Sequence, residues 1–501
     1  MTIDDRSPCI IGVARRTWRT ELDEAPEPLD MWTQVSRAAA EDAKSTTLVE
    51  KIDAIHVVHC MSWAYDDPAR RLADALGIEP GFSEVSVLAG TAGQRMVNSA
   101  AERMLAGDSE LALVVGGEAL ATRRRLKADG RPLSWSFPSP DQDKPPIDLD
   151  EWIAPTEWAH DVLQPTVTFA LLDTARRARR GESVEHARRG ACELLSSMSA
   201  VAAANPEAWF QRFHEPAELD RVTTENRVIS APYSKHMVAI MDVDMAAGVI
   251  MATHKRANEL GIDPDQRVYL RSWGFGRDAT HLAARPWLNR SDAMAQVGGE
   301  VLSRAGIGLD EITHFDLYSC FASSVQFALD ALGLEQSDPR GVTVTGGLPY
   351  HGGPSSNYTT HSIATIVERL RSEGDGFGFV TGVGMHMTKH VAALYSPEPG
   401  PLQPPDYAAT QRAIDQTPLV PITPVVSHVQ EARIAAYTWG ADRSGAPSTA
   451  LAICELPDGS RCYARSFDPK VLECLRVGEW VGRSVDLVPG ENGVNLLRVV
   501  E

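Results

Sequence analysis

The chain has 501 residues, about three domains at the usual domain size, and its 43% hydrophobic and 23% charged residues are ordinary for a folded, soluble protein. A net charge of −19 excludes nucleic acid as the general partner, because phosphate backbones need a positive face. No run approaches the ~18 apolar residues of a membrane span, the N-terminal residues lack the order of a secretory signal, and the seven cysteines include no CxxC pair, so a cytoplasmic protein without disulfides or zinc is expected.

In chain order, hydrophobic spacing predicts a helix over 31–43, a strand over 54–58, a helix over 68–76, a strand over 85–88, a helix over 94–106 and a strand over 111–116. In the helix over 94–106, Met96, Val97, Ala100, Ala101, Met104 and Leu105 recur at three- and four-residue intervals, and Gly107 supplies the stop. A tight turn, Gly90-Thr91-Ala92-Gly93, feeds this helix. Its two glycines allow close backbone approach and positive φ, and the helix start offers free N–H groups. Alternating strands and helices predict a mostly parallel sheet covered by helices.

The chain also resembles itself. IDAIHVVHCMSWAYDDPARRLADALG, from Ile52, matches ITHFDLYSCFASSVQFALDALG, from Ile312, with Cys60 and Cys320 260 positions apart. LDMWTQV has a counterpart in SDAMAQV, and LALVVGGEA in FGFVTGVGM. Order and spacing persist, which predicts two copies of one unit. Residues 1–120 with 232–266 form the first half and 267–396 the second, interrupted by an insertion over 121–231. A Pro-rich linker is expected over 397–424, and short alternating stretches over 425–501 predict a small all-β barrel or sandwich. The insertion holds two basic clusters, Arg123, Arg124, Arg125 and Lys127, then Arg176, Arg177, Arg179 and Arg180. They read either as solvated helix faces or as a site for a phosphorylated small ligand.

These motifs resemble the thiolase superfamily. GTAG and its helix resemble the family's nucleophile segment, Cys-x-x-Gly; VVGGEAL resembles Gly-Gly-x-Glu; DLYSCF resembles the His-Asp-Cys-Phe version of Asn-Glu-Ala-Phe; TGGLPYHGGPSSN resembles the Gly-His-Pro segment; and GVG at 382–384 sits where thiolases carry Cys-x-Gly. With the extra C-terminal domain, the pattern resembles most the actinobacterial thiolase-like proteins of type 1, which lack the catalytic cysteine and carry an OB-like domain. The resemblance implies a duplicated α/β thiolase fold, layered α/β/α/β/α, with a loop-domain insertion and an OB-like β-domain. It also implies coenzyme A or an acyl-CoA as ligand, no metal, and a monomer or homodimer.

The departures fall where the family does its chemistry. On this alignment Gly90 stands at the nucleophile, Gly353 at the Gly-His-Pro histidine, Gly382 at the second cysteine and Tyr318 at the Asn or His of the third motif. Without either thiol no acyl-enzyme is expected. The candidates that remain are Tyr318 and His351 for proton transfer, Gly90, Thr91, Gly93, Cys320, Asn357 and Gly382 around a thioester, and Arg123, Arg124, Arg176 and Arg180 for CoA phosphates. The pair His386 and His390 lacks a third metal ligand. Three readings stay open: an acyl-CoA-binding protein of lipid or sterol metabolism that has lost thiolase turnover, a retro-aldol lyase using Tyr318, and a non-enzymatic lipid carrier or scaffold.

Overall fold

The structure is a computed structural model and describes residues 3–45, 47–141 and 152–498. The first half runs β1 (Pro8–Thr17), α1 (Pro28–Asp42), β2 (Ala54–Val57), α2 (Pro68–Leu76), β3 (Phe82–Val85), α3 (Ala92–Ala106) and β4 (Leu111–Ala119). Then come α4 (Leu120–Ala128), α5 (Pro155–Ala159), α6 (Pro165–Arg179), α7 (Val184–Ala204), α8 (Pro216–Asp220) and a short ribbon of β5 (Val228–Ser230) and β6 (Tyr233–Ser234). The chain returns through β7 (Asp244–Thr253) and α9 (His254–Glu259). The second half is β8 (Val268–Arg277), α10 (Asp292–Ala305), β9 (His314–Asp316), α11 (Ala322–Leu332), α12 (Tyr358–Glu373), β10 (Gly378–Gly384) and β11 (Lys389–Ser396). After α13 (Tyr407–Ile414) come β12 (Val429–Ala441), β13 (Pro447–Glu455), β14 (Arg461–Ser466), α14 (Pro469–Arg476), β15 (Ser484–Pro489) and β16 (Asn495–Arg498).

Nine strands form one sheet in the order β3-β2-β4-β7-β1-β8-β11-β10-β9. The two halves meet where β1 pairs β8 over two residues, Cys9 with Tyr269 and Ile10 with Val268. Three apolar clusters layer the body. One lies between α1, α2 and the outer face of the first half-sheet; a second surrounds α3 and α12, which pack on each other between the half-sheets; the third lies between the second half-sheet, α10, α11, the insertion and the barrel. That is an α/β/α/β/α succession with a closed barrel β12-β13-β14-β16-β15 at its flank.

Three expectations need correction. The sheet is mixed: only β2–β3, β2–β4 and β9–β10 pair in parallel, while β7 runs antiparallel between β4 and β1, and β11 antiparallel between β10 and β8. Strand β11 follows β10 through a short turn and so lacks the helical crossover that a parallel neighbour requires, while β7 enters only after the insertion, which returns the chain in the opposite direction between β4 and β1. The strand expected over 85–88 lies over Phe82–Val85, because its partner β2 ends at Val57 and leaves nothing for Val87 to pair with. The segment expected as a linker contains α13, which packs on β8 and α10. Among the described residues, no helix is long and apolar enough to cross a membrane.

Candidate active site

The turn that enters α3 is clamped from the first turn of α12 and the loop ahead of it. The Ser356 hydroxyl accepts the Ala89 N–H at 3.1 Å, and the Thr359 hydroxyl accepts the Gln94 N–H at 2.9 Å. Neither Gly90 nor Gly93 has positive φ, so their role is close approach. A Cβ on Gly93 would fall 2.6 Å from Thr359 Oγ1 and 3.0 Å from the Thr360 nitrogen. A Cβ on Gly90 would fall 2.6 Å from Tyr318 Cζ and closer still to the Tyr318 hydroxyl and the Val383 carbonyl. A Cβ on Gly382, in β10, would fall 2.7 Å from Val391 Cγ1, 3.1 Å from Thr359 Cγ2 and 3.3 Å from the Gly90 carbonyl oxygen. The structure therefore brings Gly90, Gly382 and Tyr318 to one point, with Thr91 buried beside them.

Tyr318 follows β9 and is fixed by its N–H, which donates to Thr381 Oγ1 at 2.9 Å, and by an edge-on contact with the Tyr358 ring, centroids 5.6 Å apart. Its side chain is nearly fully buried, yet its hydroxyl has no hydrogen-bond partner among the described residues. Burial, with the neighbouring Cys320, holds the phenol well above its ordinary range, so it stays protonated at neutral pH and keeps a proton to donate. Cys320 is half-buried, and burial pushes its thiol up to about 12, which removes the thiolate a nucleophile needs.

Other expected residues stand behind this point. His351 is fully buried; its Nδ1 accepts from the Asn205 amide at 3.3 Å, its Nε2 lies 3.5 Å from His361 Nδ1, and burial pushes it down to about 3. It is a neutral ring in the wall, 6.0 Å from the Tyr358 ring, rather than a base facing ligand. Asn357 donates to the Gly116 carbonyl at 2.6 Å and so ties the start of α12 to β4. Gly353 donates its N–H to the Ile240 carbonyl at 2.8 Å.

The four arginines do not form one cluster. Arg123 donates to the Met61 and Ser62 carbonyls, and Arg124 pairs with Asp242. Arg176 holds both oxygens of Asp330 at 2.6 and 2.9 Å, and Arg180 pairs with Glu182. Arg176, Arg179, Arg180 and Arg290, with Asp330 and Glu335, line a groove of about 510 Å³ at the C-terminal end of α11. The first residues of α11 adjoin Cys320, so its 11 residues separate the groove from Tyr318 by about 16 Å of helix.

Sequence reasoning missed three supports. Asp316, fully buried, accepts from Thr343, Thr345, Ser362 and the Val344 N–H and so shapes the loop ahead of α12. Thr359 clamps the glycine turn, and nothing in a Thr-Thr pair announces it. Glu118, in the quoted VVGGEAL, accepts the N–H groups of Met61 and Ser62 and the Cys60 thiol, and burial pushes its carboxyl up to about 7. Among the described residues, no group of three or more His, Cys, Asp or Glu could hold a metal ion.

No family model matches the chain. A stretch of 152 residues is 34% identical to the 3-ketoacyl-CoA thiolases of Salmonella paratyphi B and Salmonella dublin, covering 28% of this chain and 33% of each of theirs; the match thus spans a third of the length of these curated relatives. Over the full length of both chains, the structure is similar to a monomeric SCP2-thiolase like protein type 1 from Mycobacterium smegmatis, with 29% identity and a TM-score of 0.86. It is also similar in fold to an acetyl-CoA acetyltransferase from Syntrophomonas wolfei (17% identity, 79% of this chain and 100% of that one, TM-score 0.55) and to the Ltp2-ChsH2(DUF35) aldolase (17%, 78% and 98%, TM-score 0.59). Full-length likeness and the doubled half-sheet make this chain thiolase-like in fold, and it is similar over its whole length to an SCP2-thiolase-like protein of type 1.

Proposed function

We propose that this protein binds a coenzyme A thioester without forming an acyl-enzyme. The observation that carries the reading is the Tyr318 hydroxyl, protonated, without a hydrogen-bond partner among the described residues, and seated where a side chain at Gly90 would begin. Such a donor is free to bond a ligand, and a thioester carbonyl is an acceptor of the right kind. With no side chain at Gly90 or Gly382 and the Cys320 thiol held protonated, none of these three positions offers a nucleophile to take the acyl chain covalently. The groove at Arg176, Arg179, Arg180 and Arg290 would receive the phosphates, although Asp292, Asp330 and Glu335 temper its charge.

Calorimetric titration with CoA and acetyl-CoA tests this. Binding of both is expected, with Tyr318→Phe weakening acetyl-CoA about tenfold and leaving CoA unchanged, the scale of one lost hydrogen bond. Absence of binding at millimolar ligand would sink the reading.

The same phenol favours one second reading, cleavage of a β-hydroxyacyl thioester. In that reaction a base takes the hydroxyl proton, the Cα–Cβ bond breaks to release a carbonyl compound, and the thioester enolate is protonated. Tyr318 is placed to donate to the enolate. Turnover that survives Tyr318→Phe would remove it from such a mechanism.

A further inference from the structure

We propose that a second cleft, beside the site, holds the apolar body of a ligand that ends in an anion; the inference deepens the thioester reading and rests on it for where the ligand's reacting end lies. The cleft has a volume of about 260 Å³, near the lower end of the usual ~300–1,000 Å³ for small-molecule sites. Its walls are Val238 and Ile240, ahead of β7, Pro349 and Tyr350, ahead of α12, and Phe210, after α7.

Each wall is fixed by main chain that leads to the site. Ala239, between Val238 and Ile240, donates its N–H to the Cys320 carbonyl at 3.1 Å; Ile240 donates to the Leu348 carbonyl at 3.4 Å; and Phe210 donates to the Tyr350 carbonyl at 3.0 Å. The cleft is therefore preorganised, and its inner wall is bonded two residues from Tyr318. Phe210 leaves 40% of its surface in water, apolar area that a bound chain would cover.

The charges around it select the ligand's far end. Lys235 is exposed and has no ion-pair partner among the described residues, and Arg212, also exposed, pairs with Glu218. The other titratable lining groups are His214, which also faces Glu218, His236 and Tyr350; burial and the adjacent His214 hold His236 below its ordinary range and burial holds the Tyr350 phenol above its own, so neither adds charge. One cation in excess, on a chain of net charge −19, marks a local preference for an anion. An acyl chain with its thioester at Tyr318 and a distal carboxylate at Lys235 satisfies both ends.

The test uses the full chain, two variants and two kinds of probe. Lys235→Glu reverses an exposed charge, and Val238→Trp fills the cleft, with thermal melting to verify that each folds. Free anilinonaphthalene sulfonate, displaced by decanoate, reports the cleft independently of CoA; Val238→Trp is expected to weaken it about tenfold and Lys235→Glu several-fold. Decanoyl-CoA and its ω-carboxy analogue are then compared with CoA, the ω-carboxylate losing its advantage in Lys235→Glu. Wild-type affinity for the free probes in Lys235→Glu and in a folded Val238→Trp would overturn the cleft. If CoA binds but decanoyl-CoA binds no tighter and the free probes do not bind, the cleft fails and the thioester reading stands. If the free probes bind and no CoA compound does, the thioester reading fails and the cleft stands.

Discussion

The Tyr318 hydroxyl and the missing side chain of Gly90 compete for one space, and the Val383 carbonyl closes its other side. Gly90→Ala is expected to destabilise the fold by about 1–3 kcal/mol, the cost of overpacking a tight interior. Tyr318→Phe removes the hydroxyl but not the Val383 carbonyl, so the double variant should recover only part of the loss. Urea denaturation of the two single variants and the double variant measures this; full recovery would show that Val383 does not constrain the turn. The same geometry predicts that Gly90→Cys alone gives no thiolase turnover.

The glycine turn and its helix were legible because spacing and the Gly107 stop agree, and α3 spans Ala92–Ala106 with Gly107 in the left-handed conformation. Gly90, Gly382 and Tyr318 could be singled out because the chain repeats itself and each departs from one motif. The antiparallel β7 could not be read, since its place between β4 and β1 is decided by partners more than 100 residues away. The arginines were visible as charge, but Arg176 is held by Asp330, 154 positions on, and Arg177 by Glu479, 302 positions on. Local periodicity carries no trace of such pairs. His351 is a candidate for proton transfer by its place in the segment that resembles Gly-His-Pro; the fold buries it fully, which no local pattern announces.

Cys320 should resist alkylation although it is half-exposed. With its thiol held near 12, the thiolate fraction at pH 7 is some three orders of magnitude below that of a free cysteine near 8.5, and iodoacetamide labelling should slow by roughly a hundredfold or more relative to the unfolded chain. Peptide mass spectrometry after timed labelling reads this directly; rapid native labelling at Cys320 would contradict the absence of a nucleophile.

Glu118 gives the protein a proton-linked stability. An unfolded glutamate titrates near 4.5 and the folded one at about 7, so between these values the native chain keeps a proton that the unfolded chain has lost. The raised value contributes stability that is complete below about 4.5 and is lost as pH rises through about 7, on the order of 3 kcal/mol for that interval. Glu118→Gln cannot titrate and should lack this slope. Urea midpoints at pH 5 and 8 should shift in the variant's favour at the higher pH; parallel profiles would assign the proton elsewhere.

The barrel is fastened to the core through Tyr463. Its hydroxyl donates to Glu157 at 2.8 Å and accepts the Ala283 N–H at 3.0 Å, while Glu157 is almost wholly buried and also meets His281. Tyr463→Phe leaves both partners short of a bond and should cost about 1–3 kcal/mol in chemical denaturation, with the barrel strands losing amide protection first. Unchanged exchange in β12–β14 would place the anchor elsewhere.

The apolar cluster that holds Phe169 and Leu172 of α6 also contains Ala436, Leu451, Ile453 and Tyr463 of the barrel. The insertion's outer wall is thus made from the far end of the chain, and during synthesis α6 waits for it. From Leu172 to Tyr437 the ribosome must add 265 residues, roughly 13 to 50 seconds at ordinary elongation rates. For that interval a nascent chain with two nearly complete halves carries α6 packed on α11 but with its barrel-facing side still open to water.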